Sequence, residues 1–177
     1  EPARRRNIPI RVLNSTNPEC EWSSVVRSDE APGGPKSVAF RSEILFVRIR
    51  SSRLEGVTRM LGKVFAVLYP KRIPVTLAKA TESEVCLVIP EEVDGLAEAF
   101  DEIRKWAEVT VYRDKSFIAV IGRDIVGFEG LGDKVIGFSG KVYMANVGAN
   151  MMSESFVIDR DRLQVTLERL HDYIFEQ

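Results

Sequence analysis

The chain has 177 residues, of which 45% are hydrophobic and 29% charged. That balance excludes a disordered class and provides enough apolar material for one large domain or two small ones. The 25 basic and 26 acidic residues leave a net charge of -1, which excludes a global attraction to nucleic acid or to anionic membranes. No apolar run approaches bilayer-spanning length, and Glu1–Arg6 is not followed by the apolar segment of a signal peptide. The expected location is cytoplasmic. The first residue is not Met, so the chain is expected to be a piece of a longer protein or a trimmed form. Cys20 and Cys86 stand far apart with no Cys/His cluster. No metal site is expected, and two free thiols are favoured over a disulfide.

Ile8–Leu13 alternates as a short strand, with Pro9 marking an edge or a strand start. Trp22–Val26 is a second short strand. Pro32-Gly33-Gly34-Pro35 is the strongest loop signal in the chain. Ser37–Arg41 and Ile44–Arg50 are strands, and Ser51–Gly56 is a polar turn. Val57, Met60, Leu61, Val64, Phe65 and Leu68 fall on one face of a helix that Pro70 ends. Ile73–Ala78 and Val85–Ile89 are strands. Val93, Leu96, Ala97, Phe100 and Ile103 mark a second helix, and Glu108–Tyr112 is a strand. The order then repeats: strand Phe117–Ile121, a helix on Leu131, Val135, Ile136 and Ser139, strands Val142–Val147 and Ser155–Ile158, and a last helix on Leu163, Leu167, Leu170 and Ile174. Asp159 or Asp161 is its candidate N-cap.

The order β-α-β-β-α-β is complete once, from Ile44 to Tyr112, and starts again at Phe117. It is the ferredoxin-like order of an α+β fold, an antiparallel sheet with helices on one face. The second copy lacks its fourth strand, which would leave backbone groups unpaired. Val38-Ala39-Phe40 is the spare strand, so the first unit is expected to be inserted within the second.

Two segments suggest a ligand. Ser51–Gly56 opens into a helix, whose unpaired N–H groups and positive dipole end suit a carboxylate. Thr81-Glu82-Ser83-Glu84 offers carboxylates that could meet an ammonium. An ordinary strand-to-helix turn and a solvated hairpin tip are the commoner origins of such segments. Gly127–Lys134 lacks the Lys-Ser/Thr of a phosphate loop and the parallel βαβ unit of a dinucleotide site. His171 is alone, with no Ser or Cys partner for a triad. Arg4-Arg5-Arg6 is a solvated end, Met151-Met152 packing or loop, and Trp22 and Trp106 core or interface anchors. No catalytic residue, metal ligand or cofactor site emerges.

Several stretches resemble the tandem ACT domains of aspartate kinases, nearest the lysine-sensitive type. They are Leu61–Phe65, Ala80–Ile89, Gly122–Ile125 with Gly130–Gly132, Val147–Ala149 and Leu170–Phe175, while Ile8–Asn14 with Asn17-Pro18 resembles the end of the family's kinase domain. The likeness covers nearly the whole chain. Its motifs are loose, but their order and spacing are specific. The resemblance implies residues 1–36 as the end of a kinase-like segment and linker, residues 44–113 as the first ACT unit, and residues 37–43 with 114–177 as the second. It implies the regulatory part of an enzyme that phosphorylates aspartate with ATP, the first step towards lysine, threonine and methionine. The kinase domain itself is absent from this chain, which is expected to be non-catalytic.

Carried over by position, an amino-acid effector would meet Leu54, Gly56, Val57, Met60, Leu61, Val75, Thr76, Thr81, Glu82 and Ser83. The family's lysine pattern has an aspartate where this chain has Thr76, which leaves lysine, threonine, another pathway product or a lost site all open. The implied partners are that small effector, a second copy of the chain paired through ACT units, and the parent's kinase domain. Nucleic acid and membrane are not among them. The alternatives are a ligand-free ACT dimerisation module or a separate regulatory subunit. An RNA-binding ferredoxin-like unit, which needs exposed aromatics on the sheet and a basic stripe, ranks last, because the strands carry few aromatics and the charge is balanced.

Overall fold

A computed structural model describes residues 2–6, 8, 10–12, 23–25, 33–148 and 151–176. The chain divides into two compact units, Glu1–Pro32 and Gly33–Gln177. In the first, the described elements are a four-residue helix α1 (Pro2–Arg5) and the antiparallel pair β1 (Ile10–Val12) and β2 (Ser23–Val25). Cys20, Trp22 and Asn14–Pro18, singled out in the sequence, lie outside the described residues.

The second unit is a six-stranded antiparallel sheet with four helices. Its elements in chain order are β3 (Gly34–Arg50), α2 (Val57–Leu68), β4 (Leu77–Ala80), β5 (Glu84–Pro90), α3 (Leu96–Arg104), β6 (Glu108–Arg123), α4 (Leu131–Ser139), β7 (Val142–Asn146), β8 (Ser153–Asp159) and α5 (Leu163–Phe175). The strand order is β4-β5-β3-β6-β8-β7.

Four expectations are corrected. Ser37–Arg41 and Ile44–Arg50 are one strand of 17 residues, and Glu108–Tyr112 and Phe117–Ile121 are one strand of 16. The loop signal at Pro32–Pro35 gives way early: Gly34 and Pro35 already pair with Arg123 and Gly122. β4 begins at Leu77 rather than Ile73, because the preceding segment contains Pro74, which has no N–H to give a ladder. Asp159 caps nothing by its side chain. Its carboxylate instead holds Lys115 at 2.8 Å and accepts from the Tyr143 hydroxyl at 2.9 Å.

Val38, Ala39 and Phe40 lie opposite Val120, Ala119 and Ile118. The spare strand therefore sits beside the second half of β6, while Ile44–Arg50 of the same strand sits beside its first half. Two register shifts separate the halves. Between Arg41 and Ile44 the extra residue is on β3, and between Ile44 and Phe46 it is on β6, where Asp114 has φ 56. Side chains alternate along a strand, so one extra residue inverts the faces. On β3, Val38 points to one core and Leu45, Val47 and Ile49 to another. On β6 the corresponding residues are Ile118 and Val120 against Val109 and Val111. One bulge in each strand keeps all of these on the helix-bearing face.

The opposite face is also packed. Ile44, Phe46, Val88, Met144 and Val157 form a third buried cluster. The rings of Phe46 and Tyr143 lie 6.0 Å apart. Three strand spacings separate β3 from β7, about 14 Å in a flat sheet. The sheet therefore curls over its helix-free face, and its two edge strands, β4 and β7, line one cavity of about 240 Å³.

The two turns that lead from long strand to helix are built alike. After β3, Ser51 N–H donates to Ser83 C=O at 2.8 Å and Glu55 N–H to Glu82 C=O at 3.0 Å. At the end of β6, Gly122 N–H donates to Met152 C=O at 2.9 Å, and just beyond it Ile125 N–H donates to Met151 C=O at 3.1 Å. This correspondence sets Glu154 where the first half has Val85. Both side chains are buried, but Glu154 Oε2 has no hydrogen-bond partner. Burial raises its pKa.

A raised folded-state pKa means that the contribution of Glu154 is present at low pH and lost as pH rises through the folded value. Glu154→Gln should therefore raise stability at pH 8 by about 1–3 kcal/mol and flatten the loss of stability as pH rises above the ordinary carboxylate range, measured by urea unfolding. Gly122 allows a close approach, since a Cβ there would collide with the Gly34 carbonyl. Gly122→Ala should cost about 3 kcal/mol or more, whereas Gly137→Ala on the exposed side of α4, with open space around it, should gain about 1 kcal/mol. Thermal melts of the two variants check both signs.

Candidate functional site

The expected ligand region is the end of the first half where β3 runs into α2. The helix starts at Val57 because Gly56 (φ 80) turns the chain. No side chain caps it. Glu82 C=O receives both Glu55 N–H at 3.0 Å and Gly56 N–H at 3.1 Å. The two segments singled out in the sequence, Ser51–Gly56 and Thr81–Glu84, are thus brought together by backbone bonds. The same bonds use the amides of Glu55 and Gly56, which precede the first helical N–H groups, those of Val57, Thr58 and Arg59.

Glu55 is also engaged. Its carboxylate accepts from Lys63 Nζ at 3.0 Å through both oxygens and from Ser51 Oγ at 3.2 Å, and it pairs with Arg59 at 3.3 Å. The hydrogen bond from Lys63 is the main reason that its pKa lies below the usual carboxylate value. Lys63 Nζ also sits 4.0 Å from the Trp106 ring centroid. Thr81 donates its hydroxyl to Glu84 C=O at 3.4 Å. Glu84 pairs with Arg48 at 3.1 Å.

The expected effector residues do not all converge. Leu54, Gly56, Val57, Thr81, Glu82 and Ser83 cluster around this turn, with Leu54 and Val57 exposed. Leu61 is half-buried one turn along α2. Met60 is fully buried in the core, because the helical phase that puts Val64 and Leu68 inward puts Met60 there too. Val75 packs against the same core. Thr76 donates its N–H to Val88 C=O at the far end of β4. It lies five residues from Thr81 along an extended segment, about 16 Å.

The corresponding turn after β6 has Ile125 where the first has Glu55, and Met151 where it has Glu82. It carries no carboxylate pair at those places. Its glycine-rich stretch folds as a short 3-10 turn (Ile125–Gly127) and then α4, with Gly130 (φ 80) at the helix start. Burial, with Glu84 beside it, pushes the Cys86 thiol up to about 11, so the thiolate is scarce at neutral pH. His171 is exposed on α5 near Asp172 and Glu176, each 4.0 Å away. These three are the one group of potential metal ligands among the described residues, all exposed. No helix is long and apolar enough to cross a membrane among the described residues.

A feature that site-by-site reading of the sequence missed is a cleft of about 840 Å³ between the β3–α2 turn and the α3–β6 turn. Its basic residues, Arg50, Arg53, Arg104 and Lys105, come from segments far apart in sequence. Only the pairing of Arg50 with Glu108 across β3 and β6 brings them together.

No family model matches the chain. Among curated proteins it is similar to chloroplastic aspartokinase 3 of Arabidopsis thaliana, 29% identical over 191 residues, covering 99% of this chain and 34% of that protein. The chain spans about a third of the length of the curated relatives it matches. Among solved structures, E. coli aspartokinase III in complex with aspartate and ADP superposes with a TM-score of 0.82 at 23% identity, covering 98% of this chain and 41% of that one. The ligand-free regulatory subunit of aspartate kinase from Thermus thermophilus has a TM-score of 0.64 at 14% identity, covering 80% of this chain and 99% of the subunit. At these identities the two structures establish likeness of fold. Joined to a sequence likeness that runs over almost every residue, that fold makes the chain similar, over its whole length, to about a third of an aspartokinase.

Proposed function

We propose that the chain is a regulatory module that works by association, pairing with a second copy and with an aspartate-kinase catalytic domain. The observation that carries this reading is an apolar stripe on the outer side of α2. Val57, Leu61 and Phe65 follow one another at intervals of four, and Tyr69 continues the line. Val57, Phe65 and Tyr69 are exposed. Beside them run Thr58, Gly62 and Ala66, all small and exposed. Such a face allows two helices to approach closely, with apolar side chains burying one another. The free edge of β4 offers backbone groups for sheet pairing next to it.

The residues 33–177 are read as two ACT units that share β3 and β6. The first (44–113) is inserted within the second (37–43 and 114–177), and residues 1–36 are the end of a kinase-like segment and a linker. The repeated turn geometry supports this, as does the strand order within each half. The Thermus thermophilus subunit, nearly all of which this chain covers, supports a regulatory body that exists as its own chain.

Feedback control by lysine, threonine or methionine is the second reading. The closeness of Ser51–Gly56 to Thr81–Glu84 favours it. The ion pairs around Glu55 and the absence of a carboxylate at Thr76 favour the association reading.

Light scattering coupled to size exclusion should give twice the monomer mass. Phe65→Glu should return the monomer mass with an unchanged circular-dichroism spectrum, and a dimer that survives Phe65→Glu and Leu61→Glu would sink the proposal. In thermal melts, lysine, threonine and methionine at ~10 mM should each leave Tm within about 1 °C. A saturable rise of several degrees with one of them would instead establish the effector reading.

A further inference from the structure

We propose that the cleft between the β3–α2 and α3–β6 turns binds an organic phosphate carrying two or more negative charges. The cavity of about 840 Å³ is lined by four basic side chains, Arg50, Arg53, Arg104 and Lys105, against one acidic one, Glu108. Its size is that of a small-molecule site. The chain as a whole has a net charge of -1, so bulk composition does not account for this concentration of cations. Arg104 is bonded to Asp101 at 2.8 Å. Arg50, Arg53 and Lys105 have no ionic partner among the described residues.

Like charges gathered at one cavity repel one another, and an anion placed among them removes that repulsion. Guanidinium groups bind phosphate through paired N–H donors, which makes arginine the fitting residue here. The walls are set by the fold. Arg50 is fixed by its register with Glu108, and Arg53 follows a turn held by its own N–H to Ser51 Oγ at 3.2 Å. The half-buried Trp106 supplies an apolar wall beside the cations. That wall favours an organic phosphate over a bare anion. Leu54 and Ser83 of the expected effector set also line the cleft, but the four cations stand outside that set. The inference does not depend on the association reading.

Calorimetric titration of the whole chain with ADP and with pyrophosphate tests it. Both should bind at low salt, ADP with Kd below ~1 mM, and both should weaken as salt is added. The double variant Arg53→Glu/Lys105→Glu should bind ADP at least about tenfold more weakly. Lys79→Glu, exposed on β4, should bind as the parent does. Arg53→Ala is a milder substitution that keeps the test valid if the double variant melts early. No binding of either compound up to ~10 mM, or undiminished binding by both Arg53 variants, would overturn the proposal. So would tighter binding of an oligoglutamate peptide than of ADP, which would mark the cleft as a protein-docking patch.

Discussion

The pairing of β3 with β6 is the constraint on which the second unit depends. It runs from Gly34 opposite Arg123 to Arg50 opposite Glu108. Each strand runs through both halves of the sheet, so the two halves are joined by continuous backbone in two neighbouring strands. The bulges near Ser42 and Asp114 are the device that makes sharing workable. Without them one half would present its apolar residues to the wrong face. The junction is fastened by polar contacts. Ser116, fully buried, donates its hydroxyl to Ser42 C=O at 3.3 Å. Lys115 is held by Asp159 and lies 4.6 Å from the Tyr143 ring. Burial works against the Lys115 ammonium, but the carboxylate outweighs it and the pKa is raised. Nearby, Glu91 binds Arg113 at 3.0 Å and Arg160 at 2.7 Å, tying β6 and the segment before α5 to the end of β5.

The same geometry explains the difference between the two turns. Each long strand ends by giving an amide to the hairpin opposite, so the two turns share a frame. Their side chains have diverged on that frame. The first has Glu55, Glu82 and a ring of cations. The second has Ile125 and Met151 at those places, and the carboxylate of Glu154 is moved inward to where the first has Val85. Charge on the first turn meets partners or solvent, while the charge of Glu154 meets neither at Oε2. A common backbone therefore carries paired charge on one side and a buried carboxylate oxygen without a hydrogen-bond partner on the other.

Much of this was legible in the chain itself. The period of α2 was readable because Pro70 stops it and its apolar residues face a single core. The spare strand at Val38–Phe40 followed from counting unpaired backbone groups. The breaks placed at Ser42-Glu43 and at Arg113–Ser116 were misleading. Polar residues there look like turns, but a bulge also takes polar residues while the strand continues. Met60 falls in the expected effector set by position along the family pattern, and its helical phase places it in the core. Asp159 looked like a helix cap because it precedes a helix, yet a buried lysine across the sheet claimed its carboxylate.

The sequence by itself determined the element types, the repeated β-α-β-β-α-β order, the incompleteness of the second copy and the absence of a recognisable catalytic motif. Those depend on local periodicity and on the need to pair every strand, both of which are written along the chain. Only the tertiary structure decided that two pairs of predicted strands are single strands and that the sheet curls until β4 and β7 line one cavity. It also decided which of the expected ligand residues meet. It gathered Arg50, Arg53, Arg104 and Lys105 around one cleft. These outcomes depend on strand register and bulge position. A shift of one residue there leaves local propensity almost unchanged but reverses which side chains face each other.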